Sequence, residues 1–575
     1  MNSPVELVVV LLLVVAPLWV VALRRGWMSR PGRRRWVWGV SALALLWAMP
    51  WGGVDFAHLK RLNLILLVTT AAVLLARQVE VGWLRDRKVY RGLLVGLAVL
   101  AALVHLNFLG FHGAGTYVHW HDVAHYYLGG KYAPELGYRD LYVAMLRAEA
   151  ENHDNHFKAI EARDLETYRQ VHIRTLLQRS DGVQEAFSPQ RWQDFRADAE
   201  VFRRRLDRQY GTVLLDHGFN PTPVWTAIGG SVARWVPAGS ERGLLALSLL
   251  DALLWVGWLV VLFRTLGAET TLLALILTTT LFGHSFGWTG GAFLRYLWFF
   301  AVVVACCALH RRRWGTAGLL FALATMLRVF PVVLLAPWGL RTLVLLWRRR
   351  RLADRDLRLW GGFVLGCVGL FVLSLVSAGG PRAGVETWRD FVDNLETHVS
   401  VLSPNTVGLT DALAYQGGPR EITAEELAAR VERRGGIHRA QLLLVFLPLL
   451  ALVGRLALGQ RPLAAVALGL PLLYGGLSLA GYYWIVLVVL LLWCRRRPVD
   501  LSLIFAAEAI PYTLMLFSER EANLFLAHGL ALGILFAVLW GPGVGEWLGA
   551  RGGSRKVGGE AERANDDAPG EDRGR

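Results

Sequence analysis

Residues 243–263 read GLLALSLLDALLWVGWLVVLF, and residues 5–23 read VELVVVLLLVVAPLWVVAL. Each reaches the roughly 17 to 25 residues that a helix needs to cross ~30 Å of hydrocarbon. Comparable runs recur along the chain, which is 54% hydrophobic with a mean hydropathy of +0.39, too apolar for a soluble protein of several domains. The fold class that follows is an all-α polytopic membrane protein.

Working outward from these runs, the expected crossings are 5–23, 36–52, 62–77, 92–110, 241–263, 269–285, 297–310, 315–328, 330–347, 360–378, 440–457, 463–477, 482–494, 500–517 and 524–541. Arg-rich clusters at 24–35, 76–91, 311–313, 348–358 and 495–497 then fall at every second loop. Placing them on the cytoplasmic side satisfies the positive-inside rule with roughly 15 crossings. The formal charge of +16 is spread over these short clusters, a pattern of membrane topology rather than of a nucleic-acid-binding module. The four cysteines, Cys306, Cys307, Cys367 and Cys494, lie in or at the ends of apolar segments and form no disulfide framework or CxxC motif.

This threading puts two long polar segments, 111–222 and 379–438, on the outer face together. Within the first, SPQRWQDFRADAEVFRRRL predicts a surface helix with Ser188 as its cap and Pro189 at its first position. NPTPVW (220–225) reads as a Pro-rich re-entry to the membrane. The polar, Gly-rich stretch 550–575 reads as a disordered cytoplasmic tail.

Polarity concentrates at residues 119–132, HWHDVAHYYLGGKY. If this stretch continues the helix of the fourth crossing, His121 and His125 are i and i+4, as are Asp122 and Tyr126, so carboxylate, phenol and imidazoles share a face. Such groups are expensive beside a bilayer unless they meet water, a partner or a substrate. Three readings are open: a solvated interfacial belt, a metal site and a general base. HDVAH has the spacing of H-E-x-x-H with Asp in place of Glu, so His121 and His125 are candidate ligands of a divalent metal. Its third ligand would come from elsewhere, with His153, His156, His172 and His217 as candidates. No D-x-D pattern decides metal dependence.

The series Asp122, Tyr126, Lys131, Tyr132, Leu141, Tyr142 in HDVAHYYLGGKYAPELGYRDLY resembles the D-x-x-x-Y…LY pattern opening the first outer loop of GT-C membrane glycosyltransferases. It is most similar to the bacterial branch that uses polyprenyl-phosphate sugars, of the mannosyltransferase or arabinosyltransferase kind. Further segments resemble that branch in order. LRVFPVVLLAPW (327–338) has Arg328 and Pro331 in its basic-x-x-Pro positions, WTGGAFLR (288–295) ends in Arg295, and DNLETHVSVLSPNTVGL (393–409) brings His398 and Asn405. The resemblance covers roughly residues 92–480. It departs from the family in that Asp122 follows the fourth apolar segment rather than the first, and in having His119 and His121 beside the Asp.

What the resemblance implies is a GT-C-like bundle of roughly 13 to 15 transmembrane helices with two long extracytoplasmic loops. The expected organisation is amino-terminal helices over 1–91, a catalytic core over 92–480, carboxy-terminal helices over 481–549 and the tail. Asp122 would be the catalytic base. Arg328, Arg295, Lys131, His398, Asn405 and Tyr126 would bind substrate or its phosphate. The implied activity is inverting transfer of a sugar from a polyprenyl-phosphate donor to an envelope glycan, lipid or protein at the outer face of a bacterial inner membrane. Membrane lipid is the surrounding partner, and nucleic acid is not a partner. No certain cofactor is implied beyond the open divalent metal. The competing readings are a membrane metal hydrolase on His121 and His125, and a transporter or flippase of lipid-linked glycans.

Overall fold

The computed structural model describes residues 18, 21–22, 26–27, 30–48, 50–113, 116–400, 403–416, 424–518 and 520–549. The expected first crossing is almost wholly outside the described residues, and the tail 550–575 is entirely so. The described chain is helical nearly throughout. Its strands are two antiparallel pairs, Glu161–Arg163 with Gln170–His172 and Thr406–Val407 with Leu479–Ala480.

Among the described residues, seven helices are long and apolar enough to cross a membrane: Phe56–Gln78, Arg87–His105, Glu241–Leu266, Phe330–Arg349, Asp354–Ser377, Ala429–Ala457 and Glu521–Gly541. Shorter apolar helices run over Ala268–Thr280, Leu297–His310, Trp314–Leu327, Pro462–Gly476 and Gly481–Cys494. Every expected apolar segment from 62–77 onward falls on one of these or on Pro498–Leu514, and 36–52 overlaps Pro31–Ala48. Local signals set the ends. Asp55 accepts the His58 N–H at 3.0 Å, Asp86 accepts that of Lys88 at 2.8 Å, and Ser240 accepts that of Gly243 at 3.1 Å.

The outward faces of these helices are themselves apolar. Leu253, Val256 and Phe263 on Glu241–Leu266 are 67%, 60% and 56% exposed, and Val364, Leu365, Val368 and Val376 line Asp354–Ser377 in the same way. In water each such side chain forfeits roughly 1.5–3 kcal/mol of burial; against lipid tails it forfeits none. The bundle is therefore a multi-pass membrane protein. Without a hydrophobic force between helices in lipid, close approach depends on small residues. Trp314–Leu327 meets Asp354–Ser377 in this way: a Cβ on Gly318 would stand 2.0 Å from the Leu359 carbonyl oxygen, and one on Gly362 would stand 2.3 Å from that of Gly315.

One expectation is corrected. Residues 119–132 do not continue the preceding helix, which ends at His105. Asn107, Phe108, Leu109 and Phe111 adopt positive φ values of 50°, 50°, 64° and 49°, which a right-handed helix cannot contain. A new helix starts at Trp120 with His119 as its cap, widens to a π turn over Ala124–Leu128 and runs on through Gly129–Lys131. The i, i+4 adjacency survives this change, with the His121 and His125 ring centres 5.2 Å apart.

The surface helix begins where expected, Pro189–Leu206 with Ser188 accepting the Arg191 N–H. At NPTPVW a short helix starts at Pro223. Thr222 caps Trp225 and donates to the Met326 carbonyl at 2.6 Å. Its packing explains the glycines of LGGKY, since a Cβ on Gly129 would lie 2.4 Å from Phe219 and one on Gly130 would lie 3.0 Å from Trp225.

Candidate functional site

Asp122 sits on the first turn of the helix starting at Trp120, and its backbone N–H donates to His119 Nδ1 at 3.0 Å. His119 is itself tethered to the segment 287–291: its backbone N–H donates to the Gly291 carbonyl at 2.9 Å, and its Nε2 lies 3.1 Å from the Gly287 carbonyl. Gly291 is required there. Its φ is +67°, and a Cβ would lie 1.9 Å from the Tyr117 carbonyl oxygen. Burial drives the His119 imidazole down to about 3, so it is neutral and serves as a cap rather than a charge.

Four residues beyond that segment stands Arg295, whose guanidinium forms a salt bridge with Asp122; the two side chains are 10% and 15% exposed. Burial alone would raise the Asp122 carboxyl, but Arg295, foremost among neighbours that include His119 and His125, brings the group below its ordinary 3.8. Asp251, buried on Glu241–Leu266, anchors Arg295 from behind. Its two carboxylate oxygens accept the backbone N–H groups of Arg295 at 3.1 Å and Tyr296 at 3.3 Å. The guanidinium also stands 4.5 Å from the Tyr482 ring centre.

Arg328 follows the last turn of Trp314–Leu327 and donates to the Tyr126 hydroxyl. Its guanidinium is 5.7 Å from the ring centres of both Tyr126 and Tyr483. Asn405 reaches the same region. Its side-chain oxygen accepts from Ser403 at 2.7 Å, and its carbonyl accepts the Gly481 N–H at 2.8 Å, tying this loop to the two tyrosines that follow.

Asp122, Tyr126, Arg295, Arg328, Asn405, His121 and His125 all line one cavity of about 2060 Å³. Ligand pockets typically hold roughly 300–1,000 Å³, so this one has room for an extended ligand and a second molecule. Phe56, Leu59, Phe111, Phe282, Phe286, Trp288 and Phe525 supply much of its apolar wall.

One candidate is not brought there. Lys131 is buried behind the cavity wall, its ammonium 2.9 Å from Asp198, 2.7 Å from the Tyr127 hydroxyl and 2.8 Å from the Val236 carbonyl. All three donors are spent on protein, so the lysine holds the loop together instead of facing a phosphate. His398 lies on the helix Pro381–Ser400, but its side chain is outside the described residues.

Beside Asp122, His121 Nε2 lies 2.9 Å from Asp216 Oδ2, and His217 Nδ1 lies 3.0 Å from Asp216 Oδ1. His125 Nε2 is 2.8 Å from the Tyr142 hydroxyl, which accepts the Gly218 N–H at 3.0 Å. Donor atoms of His121, His125 and Asp216 lie within 4.8 Å of one another. Burial opposes ionisation of Asp216, but its bonds to His121 and His217 hold the carboxyl well below the ordinary range. Of the histidines considered as a third metal ligand, His153 pairs with Glu200, His156 meets the His153 carbonyl and His172 caps Arg174; His217 contacts Asp216.

Sequence reasoning missed Asp216, Asp251, Tyr482 and Tyr483. Asp251 had a signal, being the one charge inside GLLALSLLDALLWVGWLVVLF. The tyrosine pair opening GYYW had one as well, whereas Asp216 lies in an ordinary polar loop and had none. Comparison of the chain with protein-family models, with curated proteins and with solved structures finds no match.

Proposed function

We propose that this protein is an inverting glycosyltransferase that moves a sugar from a polyprenyl-phosphate donor to an envelope acceptor. In this reading the bundle is GT-C-like, with roughly 15 crossings, and works at the outer face of a bacterial inner membrane. One observation carries the reading. Asp122, Tyr126, Arg295, Arg328 and Asn405, scattered over the sequence, line a single cavity whose walls are otherwise largely apolar. A carboxylate, two guanidiniums and an apolar wall are the groups that a hydroxyl nucleophile, a lipid phosphate and a lipid chain require.

The donor arrives with its leaving group attached. An acceptor hydroxyl oxygen bonds to the anomeric carbon from the face opposite the phosphate, and the bond from that carbon to the phosphate oxygen breaks. The electron pair stays on the phosphate, and the hydroxyl proton passes to Asp122. Arg295 and Arg328 compensate the charge growing on the leaving phosphate, Arg being suited by its paired donors. Tyr126 and the tyrosines 482 and 483 pack against the guanidiniums and orient them. Before donor binding Asp122 is the partner of Arg295; an incoming phosphate competes for that guanidinium and frees the carboxylate to face the acceptor.

The test is transfer of radiolabelled sugar from a polyprenyl-phosphate donor by the purified protein in lipid. Wild type should form a new glycosidic product, and Asp122→Asn should reduce the rate by at least ~10²-fold at unchanged protein level. Full activity in that variant overturns the assignment. Movement of intact donor across the bilayer would point to a flippase instead, and release of free sugar to a hydrolase.

A further inference from the structure

We infer that His121, His125 and Asp216 form a binding site for a single divalent d-block cation, of the zinc or cobalt class, in the wall of the cavity. The three donor atoms come from two segments of chain, the helical stretch 120–131 and the loop before the Pro-rich re-entry, and they lie within 4.8 Å of one another. In a tetrahedral site with bonds of about 2.0–2.1 Å the donors stand roughly 3.3 Å apart, so rotations of about an ångström at the side chains close the set. His121 and Asp216 are already 2.9 Å apart.

The surroundings are those of a built ligand set. Ligating groups keep their orientation through outer hydrogen bonds, and both kinds are present. The second carboxylate oxygen of Asp216 is engaged by His217 at 3.0 Å, and the His125 ring is fixed by Tyr142, itself held by the Gly218 N–H. The His121 and His125 ring centres stand 5.2 Å apart, brought to one side of the helix by their i, i+4 spacing. His125 is 3% exposed, while the side chains of His121 and Asp216 are 30% and 41% exposed and border the cavity. A cation there would have protein on one side and at least one coordination position open to whatever oxygen-bearing molecule enters.

Two imidazole nitrogens and one carboxylate oxygen select zinc, cobalt or nickel over magnesium and calcium, which prefer all-oxygen sets. Three protein ligands with an open position is the pattern of catalytic rather than structural zinc. The site does not depend on the glycosyltransferase reading, because Asp122 is not one of its ligands and points to Arg295.

The experiment uses the full chain purified in detergent without a histidine tag, stripped with a chelator, incubated with zinc or cobalt alone and desalted. Elemental analysis should find close to one zinc per chain, and the cobalt form should show visible absorption of a low-coordinate site. His121→Gln and Asp216→Asn should each lower metal content at least tenfold while remaining monodisperse, and Asp122→Asn should retain it. Because His125 is buried and its replacement could unfold the loop, a third arm measures the zinc-induced rise in melting temperature, expected in wild type and Asp122→Asn and absent in Asp216→Asn. Wild type holding less than a tenth of an equivalent, or full binding in both His121→Gln and Asp216→Asn, overturns the site. Metal binding without sugar transfer would sink only the proposed function, and transfer without metal only this inference.

Discussion

Arg295→Met tests the central ion pair directly. In the wild type, Asp122 and Arg295 retain 15% and 10% exposure, so neither charge is well hydrated. Methionine fills most of the arginine's volume but leaves the Asp122 carboxylate facing the cavity wall without its partner. Breaking a buried pair from one side costs about 3–5 kcal/mol, whereas removing both charges is often close to neutral. Arg295→Met should therefore lose stability in that range, and the double variant Asp122→Asn/Arg295→Met should lose less than Arg295→Met alone. The sign with pH follows from the same pair. Arg295 holds Asp122 below its ordinary 3.8, so the stabilisation is present above that value and disappears as pH falls through the depressed folded-state pKa. Wild type and Arg295→Met should accordingly converge in acid and diverge most near neutrality. The assay is SDS-driven unfolding in mixed micelles, followed by tryptophan fluorescence across that pH range. Equal stability of wild type and Arg295→Met at neutral pH, or losses that simply add in the double variant, would refute the reasoning.

Four further outcomes are expected. Asp251→Leu strands the buried backbone N–H groups of Arg295 and Tyr296, costing roughly 1–3 kcal/mol for each; the readouts are thermal melting and transfer rate, and the rate should fall although Asp251 does not line the cavity. Lys131→Met removes the counter-charge of buried Asp198, which keeps hydrogen bonds from Tyr127, Tyr132 and the Gly239 N–H, and should destabilise by about 3–5 kcal/mol without raising the apparent KM for donor in the surviving folded fraction, whereas a role on phosphate would raise it. Gly318→Val puts a side chain 2.0 Å from the Leu359 carbonyl oxygen and should abolish monodisperse protein on size exclusion. Gly361→Ala on the facing helix, with nothing within 4 Å of its Cβ, should be tolerated.

Much of this molecule is legible in one dimension. The apolar runs settle that it is a bundle of membrane helices, because crossing a bilayer obliges the backbone to satisfy its own hydrogen bonds over a set length. Caps such as Ser188 are local enough to read directly. Asp122 was legible as well, since a carboxylate among imidazoles at the edge of the bilayer demands a partner. Its partner was not. That Arg295 pairs with Asp122, that Arg328 engages Tyr126, and that Lys131 turns away to Asp198 depend on contacts between residues up to 202 positions apart. No periodicity encodes such contacts. Asp216 shows the limit most clearly: in sequence it is one of many loop carboxylates, and only the folding of the first polar segment back on itself, residue 216 against residues 120–131, makes it the neighbour of His121 and His125. The sequence by itself determined which segments leave water. The tertiary structure decided which polar groups meet, because their partners are chosen by how those segments pack.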